Sequence, residues 1–268
     1  MPEGDTIYRS AARLQTAIAG KRIASLEIRR DPRGRRAPEP GTLIEDVSAR
    51  GKHLFVRFAD GQVLHTHMQL TGAWHVYTKG ERWRRPGHTA RVVLEVDDGT
   101  VAVCFAAPLV ELRSQTRDAL AASPAARAVE RLGPDLCAPE PDLDDVLARL
   151  RSLDPATEIG VALLDQNVAA GIGNVYKCEV CWIERVSPFA RLDAVDDATR
   201  RRLFATAHRL LRANLGSSRR VTYAGGLAVY GRAGRPCPRC RARVRRTRVA
   251  DADRVSFWCP TCQPEGAA

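Results

Sequence analysis

Four cysteines arranged as two Cys-x2-Cys pairs constrain this chain more than any other feature. Cys237 and Cys240 form the first pair, Cys259 and Cys262 form the second, and eighteen residues separate the pairs. Four thiolates at this spacing can surround one zinc ion tetrahedrally at the ends of a hairpin. We predict structural zinc, because four protein ligands leave no open position for water. Two disulfides are the alternative.

The segment between the cysteine pairs is short, basic and poor in apolar residues. It cannot bury a sufficient core alone, so metal ligation is expected to supply much of its folding energy. A hairpin of this composition either presents solvated arginines or clamps the phosphates of a nucleic acid, and we favour the second interpretation. The arginines in question are Arg241, Arg243, Arg245, Arg246, Arg248 and Arg254.

The charge of the whole chain supports the same partner. Lysine and arginine number 42 and aspartate and glutamate 31, so the formal net charge is +11. Residues 219–262 hold eleven arginines and only two acids, Asp251 and Asp253. Such a surplus attracts polyanions, which makes nucleic acid the predicted partner, with an ordinary solvated basic surface as the alternative.

No membrane or export signal stands out in the sequence. No apolar run approaches the roughly 20 residues that a membrane span requires, and residues 2–5 carry two acids in place of a basic and then apolar segment. Four cysteines have metal-ligand spacing and the others are scattered, which is typical of a reducing compartment. We expect a cytoplasmic monomer without membrane association.

The first half of the chain has the pattern of a β-sandwich. Apolar residues recur at helical spacing from Asp5 or Thr6 to Gly20, and the period then changes to two. Two hairpins are predicted around Asp60-Gly61 and Asp98-Gly99. Strand-like stretches at 23–28 and 43–49 complete a largely antiparallel domain.

The second half is predicted to be helical. Residues 114–144 are rich in alanine and proline, and we expect their prolines to interrupt any long helix. Helical patterns follow at 143–150, 159–166, 174–182 and 199–215. The predicted fold is α+β and multidomain: an N-terminal β-sandwich flanked by helices (1–125), a connection (126–145), a helical domain (146–225) and a C-terminal four-cysteine zinc finger hairpin (226–268).

Four short motifs, taken with the cysteines, give the chain a family resemblance. They are MPEG at 1–4, RGK at 50–52, LLDQ at 163–166 followed by GIGN at 171–174, and VYGR at 229–232. In this order and spacing they resemble the formamidopyrimidine-DNA glycosylase and endonuclease VIII family of base-excision enzymes. The resemblance implies a helix-two-turn-helix DNA-binding domain over 146–225, damaged DNA as partner, one structural zinc ion and no organic cofactor.

The resemblance also implies a catalytic set of Pro2, Glu3 and Lys52. Removal of Met1 would expose the secondary amine of Pro2, and an α-amino group titrates near ~8, so part of it is a free nucleophile at neutral pH. Pro2 would attack the deoxyribose carbon that bears the damaged base and form an imine. Glu3 would act as general acid, and Lys52 would bind a phosphate of the target nucleotide and assist the elimination. The implied activity is a bifunctional glycosylase and lyase that nicks by β,δ-elimination.

Further positions match DNA-binding residues of the family. Asn174 and Arg254 would contact phosphates near the extruded nucleotide, and Gln69-Leu70-Thr71 would fill the void that it leaves. Two departures stand out: Thr71 replaces a common aromatic residue, and Asp5-Thr6 replaces a common proline and glutamate.

The branch of the family follows from two details. Gly4 and the short connection between Leu215 and Val229 resemble the endonuclease VIII branch, which removes oxidised pyrimidines. A purine-directed glycosylase is one alternative, and a catalytically idle DNA-binding zinc protein is another. Cys178 and Cys181 form a third Cys-x2-Cys, which we interpret as buried packing over a redox or second metal pair.

Overall fold

The computed structural model describes residues 2–29, 36–114, 116, 123–249 and 252–264, without the side chains of 248, 249 and 252–254. The chain forms two compact units, residues 1–131 and 132–268. The boundary between them falls inside the stretch of 126–145 that the sequence predicts as a connection. Among the described residues, no helix is long and apolar enough to cross a membrane.

Unit 1 opens with helix α1 (Gly4–Ile18), as the apolar periodicity predicts. Its apolar stripe of Ile7, Ala11, Leu14 and Ile18 is buried. Gly20 follows at a φ of +76°, a conformation that favours glycine and ends the helix. The helix packs against strands β2 (Ile44–Arg50) and β3 (His53–Phe58) of the sandwich that follows, so the start of α1 is held by a core.

Two four-stranded antiparallel sheets form the sandwich of unit 1 and confirm the predicted class. One sheet has the order β1-β6-β7-β5 and the other β2-β3-β4-β8. Apolar residues from both sheets and from α1 share one buried cluster. The strands are β1 (Ile23–Ile28), β2 (Ile44–Arg50), β3 (His53–Phe58), β4 (Gln62–His67), β5 (Ala73–Thr78), β6 (Ala90–Val96), β7 (Thr100–Phe105) and β8 (Leu109–Ser114).

The two predicted hairpins are β3–β4 and β6–β7. Gly61 and Gly99 have φ of +79° and +83° at their turns. The preceding aspartates, Asp60 and Asp98, each accept the backbone N–H two residues on, at 2.9 Å. A short helix, α2 (Pro124–Glu130), ends unit 1. Here Pro124 begins the helix instead of interrupting one, because an N1 residue needs no hydrogen-bonded N–H.

Unit 2 is helical and carries one hairpin. Its helices are α3 (Leu143–Arg151), α4 (Ile159–Ala162), α5 (Asn174–Ile183) and α6 (Asp197–Ala213), and its strands are β9 (Arg245–Val249) and β10 (Ala252–Trp258). The prediction of a helix over 159–166 is too long. Residues 163–170 form turns, and the side chain of Gln166 closes them by bonding to the backbone of Leu164, Gly171 and Ile172.

Candidate functional site

The predicted nucleophile and general acid lie at the start of α1. Pro2 is half-buried, and Glu3 is the N-cap residue, whose carbonyl accepts the N–H groups of Thr6 and Ile7 at 2.9 and 3.1 Å. The Glu3 side chain is fully buried. Asp5, one of the departures from the family pattern, is also buried in the first turn. The positive end of the helix dipole favours both carboxyl groups there.

Lys52 lies in the tight turn between β2 and β3. Gly51 has a φ of +57°, which turns the chain, and Lys52 itself is half-buried. Other lysines have structural bonds: Lys21 and Lys79 form ion pairs with Asp98 and Glu95, and Lys177 is buried against the Ser256 hydroxyl at 2.5 Å. The structure thus places Pro2, Glu3 and Lys52 in one unit, and the catalytic role of each stays a prediction.

A cluster of three neutral histidines lies next to the Lys52 turn, on β3 and β4. His53 Nδ1 and His65 Nε2 are 2.9 Å apart, and the rings of His53 and His67 are 4.7 Å apart. Burial is the main cause that lowers their pKa values, to about 3 for His53, about 2 for His65 and about 4 for His67. The charge of Lys52 further lowers the pKa of His53 and His67.

This cluster predicts a loss of stability in mild acid. Below pH 6.5 the unfolded chain protonates these histidines while the folded chain does not, so the free energy of unfolding falls as the pH falls. At pH 5.5 one neutral histidine costs about 1.4 kcal/mol. His65→Phe is therefore expected to reduce the difference in unfolding free energy between pH 7.5 and 5.5 by about that amount, measured by urea titration.

Phe55→Leu is the matched control, because Phe55 stacks on His65 at 4.7 Å but does not titrate. This control should lower stability equally at both pH values. An unchanged pH difference in His65→Phe would show that His65 takes up its proton as readily in the folded chain as in the unfolded one.

The predicted void-filling residues form an exposed turn after β4. Leu70 is 70% exposed. Gln69 has a φ of +44° and donates its N–H to His67 Nδ1 at 3.3 Å. The hydroxyl of Thr71 donates to the carbonyl of Ala106 at 3.1 Å, so it is used within the protein. Of the three side chains, Leu70 is the apolar one that is free to enter a stack of bases.

In unit 2 the GIGN motif forms the turn that begins α5. Gly171 has a φ of +110°, and Gly173 is the N-cap residue. Asn174 is only 4% exposed, and its Nδ2 donates to the carbonyl of Val255 in β10 at 2.9 Å. Its Oδ1 is buried without a partner among the described residues. This bond connects the start of α5 to Val255, the hairpin residue that follows Arg254. The side chain of Arg254 lies outside the described residues.

Glu179, one turn further along α5, holds the VYGR segment in place. Its fully buried carboxylate accepts the N–H groups of Ala228, Val229 and Tyr230 at 2.7, 2.9 and 2.8 Å. The Thr222 hydroxyl also donates to it. Four donors satisfy the buried charge, and they fix the chain that enters the finger.

The four predicted ligands lie together at the base of the β9–β10 hairpin. The sulfur atoms of Cys237, Cys240, Cys259 and Cys262 all lie within 4.8 Å of one another. Two of the separations are 3.8 and 3.4 Å. A tetrahedron with zinc–sulfur bonds of ~2.3 Å has edges of about 3.8 Å, so the four thiols fit one zinc ion.

Helix α5 contacts the cysteine cluster directly. The indole N–H of Trp182 donates to Cys237 Sγ at 3.3 Å. Burial raises the pKa of the Cys237 thiol. Hydrogen bonds from the backbone N–H groups of Arg239 and Cys240 and from the indole outweigh this effect and lower the pKa to about 6. Arg239 lies 4.2 Å from the Trp182 ring centroid and donates to the carbonyls of Trp182 and Ile183, which caps the helix.

Cys178 and Cys181 pack in the core, as predicted. Both are buried, and Cys178 Sγ accepts the Phe257 N–H at 3.4 Å. Burial raises the pKa of Cys181 to about 12, so its thiol is unreactive.

Glu179 and Trp182 were not predicted. A signal existed, because an acid in a helix as apolar as α5 has to be paired when buried.

Comparison with known families accounts for most of the chain. Residues 1–107 match the formamidopyrimidine-DNA glycosylase N-terminal domain, and residues 132–222 match the H2TH domain of the same enzymes. Residues 234–264 match the zinc finger found in FPG and IleRS. Together with the sulfur geometry, the last match assigns one structural zinc ion to the chain.

Relatives and solved structures cover nearly its full length. A probable endonuclease 8 2 of Streptomyces coelicolor is 41% identical over 98% of this chain and 94% of its own. The DNA-(apurinic or apyrimidinic site) lyase Nei2 of Mycolicibacterium smegmatis is 36% identical over 98% and 99%. The fold is that of Lactococcus lactis Fpg in a complex with abasic-site DNA, at a TM-score of 0.80 and 24% identity over 98% of this chain and 100% of that one.

The fold, the cysteine cluster and these relatives define a DNA-repair protein of the Fpg type. The chain belongs to the formamidopyrimidine-DNA glycosylase and endonuclease VIII family.

Proposed function

We propose that this chain is a bifunctional DNA glycosylase and apurinic/apyrimidinic lyase of base excision repair that removes oxidised pyrimidines. The observation that carries the proposal is the placement of a buried Glu3 directly after Pro2 at the start of α1. A carboxyl group held beside a secondary amine is the arrangement that proton transfer and imine formation require. Relatives named endonuclease 8 support the same activity.

The proposed reaction uses the chain's own residues in order. The Pro2 nitrogen attacks C1′ of the damaged nucleotide and loses its N–H proton. The bond from C1′ to the base breaks, and the base leaves with the electron pair of that bond and takes up a proton. Glu3 protonates the ring oxygen of the sugar, which opens the ring and leaves a cationic imine on Pro2. The imine accepts the electrons released when a proton leaves C2′, and the 3′ phosphate departs. A second elimination, in which a proton leaves C4′ and the conjugated imine again accepts the electrons, releases the 5′ phosphate.

DNA-binding roles complete the proposal. Lys52 binds a phosphate of the target nucleotide and assists elimination, while Asn174 and Arg254 bind flanking phosphates. Leu70 enters the stack, Gln69 flanks it, and Thr71 stabilises the turn through Ala106. The zinc ion is structural. In this proposal the residues that act on the sugar and fill the gap lie in the catalytic domain (1–125), Asn174 lies in the helical domain (146–225) and Arg254 in the zinc finger (226–268). Residues 126–145 connect the first two domains.

The preference for pyrimidines rests on the segment between α6 and the VYGR motif. Asn214 exchanges two hydrogen bonds with the backbone of Val221, at 2.8 and 2.9 Å, and Thr222 and Ala228 both donate to Glu179. Both ends of this short segment are therefore fixed, which leaves little room for a loop that could close over a purine. Since the relatives reported above are bacterial, we further propose a monomer that acts on chromosomal DNA in the cytoplasm.

One experiment tests both the reaction and the substrate. Borohydride reduces an imine between the protein and DNA to a stable adduct, so the purified protein is mixed with duplexes that contain thymine glycol, 5-hydroxyuracil or 8-oxoguanine. We expect adducts with the two pyrimidines at least about tenfold faster than with 8-oxoguanine, a difference of about 1.4 kcal/mol. Preference for 8-oxoguanine would support the purine-directed alternative. Absence of any adduct, with Met1 removed, would indicate an idle DNA-binding protein.

A further inference from the structure

The exposed Leu70 sits on a turn that the backbone alone makes tight. Gly72 donates its N–H to the carbonyl of Met68 at 2.8 Å. A Cβ at Gly72 would lie 2.7 Å from the Met68 Cα, so no larger residue fits there. With the left-handed Gln69 and its bond to His67, residues 69–72 form a defined structure, which we term the Leu70 turn.

One arginine from a distant loop binds this turn. Arg85 Nη1 donates to the carbonyl of Thr71 at 2.8 Å, and the Thr71 hydroxyl donates to Ala106. Three segments of unit 1 thus meet at Thr71: the turn itself, the loop between β5 and β6, and the junction between β7 and β8. A hydrogen bond from a guanidinium is charge-assisted and therefore stronger than a neutral one.

The loop that carries Arg85 is itself held by two aromatic residues of the sheet that contains β5 and β7. Tyr77 Oη accepts the N–H of Arg84 at 3.1 Å. The ring of Trp83 packs edge-on against Phe105, with centroids 5.7 Å apart and planes at 80°. Because its neighbours are already ordered, Arg85 loses less conformational entropy when it binds Thr71.

We propose that Arg85 is a positioning residue that braces the Leu70 turn against a DNA duplex. This role rests on the proposed function. A side chain that fills the gap left by an extruded nucleotide has to part stacked bases, which costs a few kcal/mol, and an unbraced turn would yield instead. The bond from the Thr71 hydroxyl to Ala106 also holds the turn, and it uses the position where the family pattern has an aromatic residue. Here a rigid turn replaces a stacking ring.

The test compares duplex with single-stranded DNA, because a single strand has no stacked gap to fill. Arg85→Ala is expected to trap on an abasic site in duplex DNA about tenfold more slowly than the unaltered protein. On the same site in a single strand it should lose only the small amount that removal of one positive charge causes. The fluorescence rise of a 2-aminopurine placed next to the site should shrink in parallel, since it reports insertion directly. Arg85→Lys keeps a charged N–H donor on a long side chain and should restore most of both signals.

Arg82→Ala is the matched control, because Arg82 is exposed on the same loop. It removes the same charge and should weaken both DNA forms equally. A uniform loss in Arg85→Ala, like that of Arg82→Ala, would overturn the brace and leave an ordinary phosphate contact; so would a failure of Arg85→Lys to restore insertion. If the unaltered protein forms no adduct with either DNA, the proposed function fails and the brace fails with it.

Discussion

Removal of the zinc ion is expected to abolish lesion cleavage by unfolding residues 234–264. Structural zinc contributes roughly 10–16 kcal/mol to the folding of small finger peptides, and this finger has little apolar core to replace it. Cys259→Ser removes one ligand and should have the same effect as a strong chelator. Affinity for abasic-site DNA, measured by fluorescence anisotropy, should fall at least about a hundredfold, because two or more charge-assisted phosphate contacts are lost.

Cys181→Ala is the control for the zinc prediction. Cys181 is buried on α5 and lies outside the four-cysteine cluster, so the variant should keep one zinc ion per chain and bind DNA normally. The lower DNA affinity of Cys259→Ser should also slow borohydride trapping at low DNA concentration. At saturating DNA the trapping rate should change less. Unchanged affinity in a zinc-free protein would refute the role of the finger as a scaffold for DNA binding.

Local signals made much of the fold predictable from the sequence. The zinc cluster follows from cysteine spacing, the β3–β4 and β6–β7 hairpins from Asp-Gly turns, and α1 from its apolar period. Strands β5 and β8 were not predicted. In β8, Val110 and Leu112 alternate with Glu111 and Arg113, but this pattern covers only four residues and was missed.

The contacts that organise the site were less predictable, because they join residues far apart in the sequence. Glu179 bonds to residues 228–230, Trp182 to Cys237, and Arg85 to Thr71. Nothing in the spacing of such residues indicates a partner, since the tertiary fold alone brings them together. The motif VYGR was recognisable, whereas the carboxylate that holds it was not.

Glu179→Ala is expected to cause the largest loss of stability among single substitutions outside the zinc cluster. The change removes the acceptor of the N–H groups of Ala228, Val229 and Tyr230, at about 1–3 kcal/mol for each group left unsatisfied, while the Thr222 hydroxyl keeps the Gly226 carbonyl as an acceptor. Because residues 222–230 can partly move and bond to water, we expect the free energy of unfolding to fall by roughly 3–5 kcal/mol in total. The measurement is hydrogen exchange at the amides of Ala228, Val229 and Tyr230, which should lose protection by about 10²–10³-fold or more.

Glu184→Ala is the matched control for Glu179→Ala, because it removes a carboxylate from the end of the same helix. Glu184 bonds to the Thr206 hydroxyl and lies 3.5 Å from Arg202, with its side chain 15% exposed. Neither contact involves residues 228–230, so exchange at those amides should hardly change. Equal protection in both variants would mean that the finger keeps its place without Glu179. If protection is instead lost together with DNA affinity while zinc stays bound, Glu179 connects the helical domain to the finger independently of the metal.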